Sequence, residues 1–403
     1  MSKPSSREAV EWPVEFAGPL PIFVDGWLIG TGDDENGVVW LRDAETGRLL
    51  WSRPVGPVSS YPDLAVSAGR VFAAVWLSSA SGEASELHTL CAADGRPLWR
   101  RPLPGDHVVE IKLVGETLVV ATLTSVYGVS ARTGGVRWRI GVAARFMATV
   151  GDILIATRSS GPSGVIGLYP ETGRVLWELP LPETSSVEFT ADQDLIQVRA
   201  YEFPDGHDSE GLANPLAASL GGEIYAVPAS TGHILWKRAF ASMGSAAFSA
   251  QGMVYLTAEG RLVALDVGTG KTVWSRSLPS PDLSPDFRLN DGALLVNVNG
   301  PDRDGKYPIW GLAPRSGAEK WALRLSQGVY EIALAPSGMA FMVTISQSAK
   351  LIAVDTNDGG EIWSRPVNKD SQILLGRDLV YLGGGMRQSI DAFRMRDGVA
   401  LSD

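Results

Sequence analysis

The sequence predicts an all-β fold, a single β-propeller of four-stranded antiparallel blades, and three observations lead to it. A turn containing glycine is followed four residues later by tryptophan, and this pair occurs eight times. The copies recur about 45 residues apart, a period typical of propeller blades. The apolar runs between them are short, rich in β-branched residues and bounded by Gly or Asp, as strands are. The eight copies are AETGRLLW (44–51), AADGRPLW (92–99), ARTGGVRW (131–138), PETGRVLW (170–177), ASTGHILW (229–236), VGTGKTVW (267–274), PRSGAEKW (314–321) and TNDGGEIW (356–363).

Each repeat unit divides into four predicted strands. The third unit, residues 109–142, reads VEIKLVG, TLVVATLT, VYGVSA and VRWRIGV. Gly134 and Gly270 fall at the turn into the last strand, where a positive φ favours glycine. The tryptophan then lies on the outermost strand, where its ring is expected to cover the seam to the neighbouring blade.

The units add up to nine blades in one domain, residues 1–403, with eight blades as the alternative. The last unit lacks its own tryptophan strand, so we expect residues 9–16 to supply it as a closing outer strand, with Trp12 in the repeat position. Such closure removes exposed sheet edges. A long loop insertion, residues 201–223, interrupts the fifth blade, and excursions of that length are commonly functional or disordered.

Composition excludes several classes of protein. The net charge of −10 and the pI of about 5.1 argue against nucleic acid and against an acidic membrane surface as partners. Cys91 is the only cysteine, so an internal disulfide framework is impossible. The first twenty residues carry charges and prolines in place of an apolar stretch, which predicts a cytoplasmic protein.

The repeat resembles that of the PQQ-like family, most closely in LVALDVGTGKTVW (262–274) and LIAVDTNDGGEIW (351–363). Such repeats build the propellers of quinoprotein dehydrogenases and of the outer-membrane assembly lipoprotein. In that family, quinone binding goes with a vicinal cysteine pair and calcium-ligating side chains in the central channel. A chain with one cysteine lacks the pair, so the resemblance implies a non-quinoprotein member, and we expect no cofactor. Asp302 and Asp304 faintly resemble a calcium loop, which leaves a metal site open.

Two groups of residues are candidates for a site. When the first strands are aligned, Glu110, Glu188 and Glu331 occupy matching positions, as expected for carboxylates around a propeller channel. Crowded carboxylates suit acid–base catalysis or cation binding, whereas salt bridges would give the same pattern without function. Residues near this level or in the long insertion are predicted as further catalytic or ligand-binding groups: His107, Arg145, Arg288, Tyr330, Asp205, His207 and Asp208.

Two functions follow as hypotheses. The first is a scaffold that binds a small molecule or a protein through the face that carries the insertions, since no recognisable catalytic set is present. The alternative is a cofactor-independent enzyme, a lyase, cyclase or isomerase, that uses the carboxylates at the channel mouth. Whether the chain is an enzyme at all stays open at this point.

Overall fold

The computed structural model describes residues 14–15, 21–32, 37–56, 63–67, 69–79, 82–104, 106–158, 163–182, 185–202, 221–280, 283, 285–290, 292–368, 371–383 and 389–401. Within these ranges, 36 strands form nine four-stranded sheets, and neighbouring strands run antiparallel. No helix among these residues is long and apolar enough to cross a membrane.

The sheets, here called blades 1 to 9, follow one another along the chain. Blades 1 to 3 contain β2 (Ile22–Val24), β3 (Trp27–Gly32), β4 (Val38–Asp43), β5 (Leu49–Pro54); β6 (Asp63–Ser67), β7 (Arg70–Ser79), β8 (Gly82–Cys91), β9 (Pro97–Pro104); and β10 (Val108–Val114), β11 (Thr117–Thr122), β12 (Val126–Ser130), β13 (Val136–Ile140). Blades 4 to 6 contain β14 (Ala144–Val150), β15 (Ile153–Arg158), β16 (Gly164–Leu168), β17 (Val175–Pro180); β18 (Ser185–Asp192), β19 (Leu195–Glu202), β20 (Gly222–Pro228), β21 (Trp236–Phe240); and β22 (Met243–Ala250), β23 (Met253–Ala258), β24 (Arg261–Asp266), β25 (Thr272–Ser277). Blades 7 to 9 contain β26 (Asp286–Leu289), β27 (Leu294–Asn297), β28 (Tyr307–Leu312), β29 (Glu319–Leu325); β30 (Val329–Leu334), β31 (Met339–Thr344), β32 (Lys350–Asp355), β33 (Glu361–Pro366); and β34 (Gln372–Leu375), β35 (Leu379–Gly383), β36 (Ser389–Arg394) with β1 (Val14–Glu15).

The contacts divide the chain into two compact units, which are described separately. Unit 1 comprises Met1–Val108, Tyr330–Val354 and Glu361–Asp403, and unit 2 comprises Val109–Val329 and Asp355–Gly360. The prediction that residues 1–403 form one domain stays a prediction.

The predicted fold class, a propeller of nine four-stranded blades, is confirmed, and the alternative of eight is wrong. Closure of the last blade by the N-terminal segment is confirmed as well. Val14 pairs with Ile390 and Glu15 with Ser389, so β1 becomes the outermost strand of blade 9. Trp12 and the rest of residues 9–16 lie outside the described residues.

The repeated Gly–Trp pair has a physical cause at the seams between blades. The indole N–H of Trp363 donates to the carbonyl of Met395 in the next blade at 2.7 Å, and Trp51 donates to Ala92 in the same way at 2.8 Å. The turn glycine of the next blade packs on the ring. Gly398 has φ +65, and a Cβ there would lie 2.6 Å from the ring of Trp363. The glycine is therefore required by conformation and by close approach at once.

Hydrophobic cores fill the spaces between neighbouring sheets. Between blades 8 and 9 the cluster includes Phe341, Leu351, Trp363, Val380 and Leu382, all buried. Alternate residues of each strand point into such a layer, and the second and third strands, which have a layer on both faces, are largely buried. Within each unit, a large ring on the fourth strand closes the seams described here, as Trp51, Trp177 and Trp363 do.

Candidate functional site

The three aligned glutamates are all engaged with protein groups. The carboxylate of Glu110 on β10 accepts the amide of Met147 on β14 at 2.9 Å. The carboxylate of Glu331 on β30 accepts the amide of Ile373 on β34 at 3.0 Å. In both cases the acceptor ties the first strand of one blade to the first strand of the next.

Glu188 forms an ion pair with Arg199, whose side chain is only 4% exposed. Arg199 also donates to the carbonyl of Gly244 in the next blade at 3.3 Å. Here the arginine makes the connection between blades, and the glutamate supplies its counter-charge. These contacts give the three carboxylates a structural role.

The other residues predicted for the site each have different neighbours. His107 stacks on the ring of Trp76, with centroids 4.2 Å apart and an angle of 28° between the planes. Arg288 donates to the carbonyl of Phe287 at 2.9 Å. Tyr330 on β30 is exposed. The structure places Asp205, His207 and Asp208 outside the described residues.

The suggested calcium ligands belong to a hairpin turn. One oxygen of Asp302 accepts the backbone amides of Asp304 and Lys306, each at 3.0 Å. Arg324 lies 3.6 Å from the other oxygen of Asp302 and 3.5 Å from Asp304. Since the amides and the guanidinium already satisfy Asp302, the pair fits a turn better than a cation site. Among the described residues, no group of three or more His, Cys, Asp or Glu side chains could hold a metal.

Sequence reasoning missed Phe146, which lies between Arg145 and Met147 at the start of β14. Its φ is +50, and it has no partner in the strand register, because Arg145 pairs with Thr157 and Met147 pairs with Ala156. This is a β-bulge at a position where glycine is the usual residue. The other non-glycine residues of positive φ in the described chain are Asp, Asn, Gln or Glu, which makes an aromatic residue here a genuine outlier.

Side chains on three sides hold the bulge in place. Glu110 accepts the amide of Met147, and Lys112 donates to the carbonyl of the same residue at 3.1 Å. The hydroxyl of Thr157 donates to the carbonyl of Arg145. A residue in a disfavoured conformation costs about 1–3 kcal/mol and persists only where its surroundings determine it so fully.

The bulge turns the Phe146 ring to solvent. At 62% exposure it is the most exposed large apolar residue of the described chain. Most of the other exposed apolar residues lie on or directly before the fourth strands, whereas Phe146 lies on a first strand. Leu123, 46% exposed, follows β11, whose Ala121 packs in one cluster with Met147. Leu123 and Phe146 thus belong to adjoining parts of blades 3 and 4, with exposed Arg145 beside them.

The quinone and calcium that the repeat implies do not fit the residues present. Cys91, on β8, is the only cysteine of the sequence, so a vicinal pair is chemically impossible. The carboxylates aligned on the first strands are bound to amides or to arginine, as described above. The vicinal cysteine pair that the resemblance associates with quinone is thus missing from the sequence, and no step through that group is derived.

Comparison with known proteins identifies the family to which this chain belongs. The family model described as outer membrane protein assembly factor BamB matches residues 35–275 and 206–398. This chain belongs to that family of PQQ-like repeat propellers.

Individual relatives are distant. The outer membrane protein assembly factor BamB of Burkholderia pseudomallei (strain K96243) is 24% identical over 277 residues, which cover 66% of this chain and 68% of the relative. A polyvinylalcohol dehydrogenase of Pseudomonas sp is 21% identical over 400 residues, 75% of this chain and 62% of the enzyme. The crystal structure of BamB from Moraxella catarrhalis aligns with a TM-score of 0.50 at 16% identity, covering 82% of this chain and 92% of that one. The structural likeness supports the fold.

The predicted cytoplasmic location is wrong, because the relatives that define the family are named for the assembly of outer membrane proteins. The error has a physical origin. The prediction rested on the charges and prolines of the first twenty residues, and that local signal does not determine the compartment. The prediction that excluded a membrane is likewise without support from these relatives.

Proposed function

We propose that this protein is a protein-interaction scaffold that docks a partner on the blade end carrying the loops between second and third strands, with Phe146 as the central contact. The single observation that carries the proposal is the bulge, which holds an aromatic ring in solvent at an energetic cost. A ring that only packed within its own blade would need neither the positive φ nor the exposure.

The surroundings of Phe146 fit a protein partner. Aromatic residues and arginine are enriched among the residues that dominate binding energy at interfaces, and Arg145 is adjacent. Leu123 extends the apolar surface toward blade 3. Because this chain is acidic overall while Arg145 and Lys112 are basic, the site favours a partner segment with an apolar side chain beside a carboxylate.

The relatives support the kind of partner. Proteins named as outer membrane assembly factors work alongside other proteins, so we propose a protein of that machinery as the ligand and the cell envelope as the location. No cofactor is part of this proposal. The dehydrogenase relative is named for a redox activity, but the donor set described above does not match it.

The test is site-specific photo-crosslinking in the native host. Benzoylphenylalanine in place of Phe146 should give an adduct with one protein of the outer membrane assembly machinery, identified by mass spectrometry. The matched control is the same probe in place of Ile234, which is 46% exposed directly before β21. Identical adducts from both positions, or none from position 146, would refute the proposal.

A second pair of variants tests the positioning of the ring. Glu110→Ala removes the acceptor of the Met147 amide and should weaken the adduct, whereas Glu110→Gln retains an amide oxygen and should largely restore it. An adduct of equal strength in all three proteins would show that the bulge does not position the contact.

We rank the alternative function, an acid–base enzyme, second to the scaffold. Its three glutamates bind backbone amides or Arg199, and His107 stacks on Trp76. No contact described above favours it over the scaffold.

A further inference from the structure

A cavity of about 770 Å³ lies within unit 1, at the opposite end of the blades from the loops between second and third strands. Turns of blades 1 and 9 form most of its wall, and Met339 of blade 8 completes it. Its volume falls in the range of small-molecule sites, about 300–1,000 Å³. It is independent of Phe146, which belongs to unit 2.

The seam beneath this cavity contains a tyrosine hydroxyl, as the seam between blades 6 and 7 does, where Tyr255 donates to the carbonyl of Pro314 at 3.3 Å. The carbonyl of Ala44 stands where other blades accept a tryptophan N–H, and it accepts the hydroxyl of Tyr381 on β35 at 2.8 Å. Tyr381 is fully buried and lies 6.3 Å from the ring of Phe23. Burial raises the pKa of Tyr381, and the negative charges of Asp43 and Glu45 raise it further. A negative potential therefore reaches this wall.

The charges of the cavity wall are sorted by blade. Blade 1 contributes the carboxylates of Asp25, Asp43 and Glu45. Blade 9 contributes the carboxylate of Asp378 and the guanidiniums of Arg377, Arg394 and Arg396.

The basic side keeps an excess of positive charge. Arg394 and Arg396 share one carboxylate, that of Asp397, at 3.2 and 3.3 Å. Asp378 offsets one further charge, so three guanidiniums face two carboxylates on this side. A simple anion would meet the blade 1 carboxylates and a simple cation would meet the arginines, and each would be repelled at one end.

The lining of the cavity also has an apolar part. It includes Phe23, Leu379, Met339 and Met395. Methionine side chains adapt to irregular ligands, since they are unbranched and polarizable. The cavity thus combines carboxylates from blade 1, guanidiniums from blade 9 and an apolar surface.

We propose that this cavity binds a zwitterion with an apolar body, of the class of short peptides with free termini. The ammonium group lies toward Asp25, Asp43 and Glu45, the carboxylate lies toward Arg377 and its neighbours, and the apolar side chains cover Phe23 and Leu379. Charge-assisted hydrogen bonds at both ends set the orientation.

The experiment is isothermal titration calorimetry of the full chain with leucyl-leucine as the probe. Its N-acetyl form lacks the ammonium group, and its C-terminal amide lacks the carboxylate. Each capped form should bind at least about tenfold more weakly than the free dipeptide, the loss expected for one charge-assisted contact.

Two variants assign the ends of the ligand. Glu45→Gln should weaken binding of leucyl-leucine and leave the N-acetyl form unchanged. Arg377→Gln should weaken leucyl-leucine and leave the amide unchanged. Glu171 occupies the position of Glu45 in the equivalent turn of blade 4, so Glu171→Gln is the matched control and should leave binding unchanged.

Three results would overturn the proposal. Leucyl-leucine could fail to bind at millimolar concentration. Both capped forms could bind as well as the free dipeptide, which would show that the charged side chains of the cavity do not bind the termini of the ligand. Glu171→Gln could weaken binding as much as Glu45→Gln, which would locate the dipeptide outside this cavity.

Discussion

Replacement of Phe146 by glycine or by alanine separates the strain of the bulge from the packing of the ring. The ring is 62% exposed, so only about two-fifths of its surface is buried, and either change loses about 1 kcal/mol of burial. Alanine keeps the disfavoured φ. Glycine relieves roughly 1–2 kcal/mol of left-handed strain and adds about 0.5–1 kcal/mol of chain entropy cost.

We therefore expect Phe146→Gly to be nearly as stable as the parent and Phe146→Ala to be less stable than Phe146→Gly by about 0.5–1 kcal/mol. Urea denaturation followed by tryptophan fluorescence measures both midpoints. If the alanine variant is as stable as the glycine variant or more stable, the backbone at Phe146 is not strained, and the reason for assigning Phe146 a function is lost. Partner binding should be lost in both variants.

Three further results are expected. Trp363→Ala should cost about 3–5 kcal/mol in urea denaturation, because a buried ring and its bond to the next blade are lost together; a cost below about 1 kcal/mol would argue against seam closure by tryptophan. Gly270→Ala should destabilise more than Gly252→Ala, since both have positive φ but only at Gly270 would a Cβ meet a tryptophan ring, at 2.6 Å; equal thermal midpoints would remove that explanation. Burial lowers the pKa of His88 below its ordinary 6.5, although Glu86 beside it acts in the opposite sense. Because the unfolded chain then binds the proton more readily than the folded one, the free energy of unfolding should fall as the pH drops through about 6.5. His88→Asn should make that fall less steep. If the free energy of unfolding of the parent and of His88→Asn changes in parallel from pH 7 to about pH 5, this role of His88 is wrong.

The fold could be predicted from the sequence because its repeat is fixed by one packing problem. Each seam needs a large ring, here Trp51 or Trp363, and the turn beneath the ring needs glycine. This requirement recurs in every unit and appears in the sequence at a regular interval. The closing strand followed from the same count, since the last unit lacked its tryptophan.

The site could be predicted only in part, because an alignment of the repeat units gives the position of a residue on its strand but not its hydrogen-bond partners. Glu110 and Glu331 both lie on first strands and both accept an amide of the next blade, and a carboxylate of that kind looks the same in sequence as a catalytic one. The exposure of Phe146 could not be predicted, because a bulge adds one residue and breaks the alternation from which strand faces are assigned. The run Arg145-Phe146-Met147, without alternation, was the available signal.

Blades 3 and 8 offer a comparison within one chain that shows what presents the ring. Glu331 holds the amide of Ile373 as Glu110 holds that of Met147, yet β34 pairs with β35 in unbroken register. The glutamate contact alone therefore does not produce a bulge. Lys112 has no counterpart in blade 8, where Ala333 stands two residues after the glutamate. Thr157, which donates to the carbonyl of Arg145, is likewise replaced in blade 9, where Gly383 stands at the matching position of the second strand. Lys112 and Thr157 together therefore distinguish the seam that holds a bulge from the seam that only joins two strands.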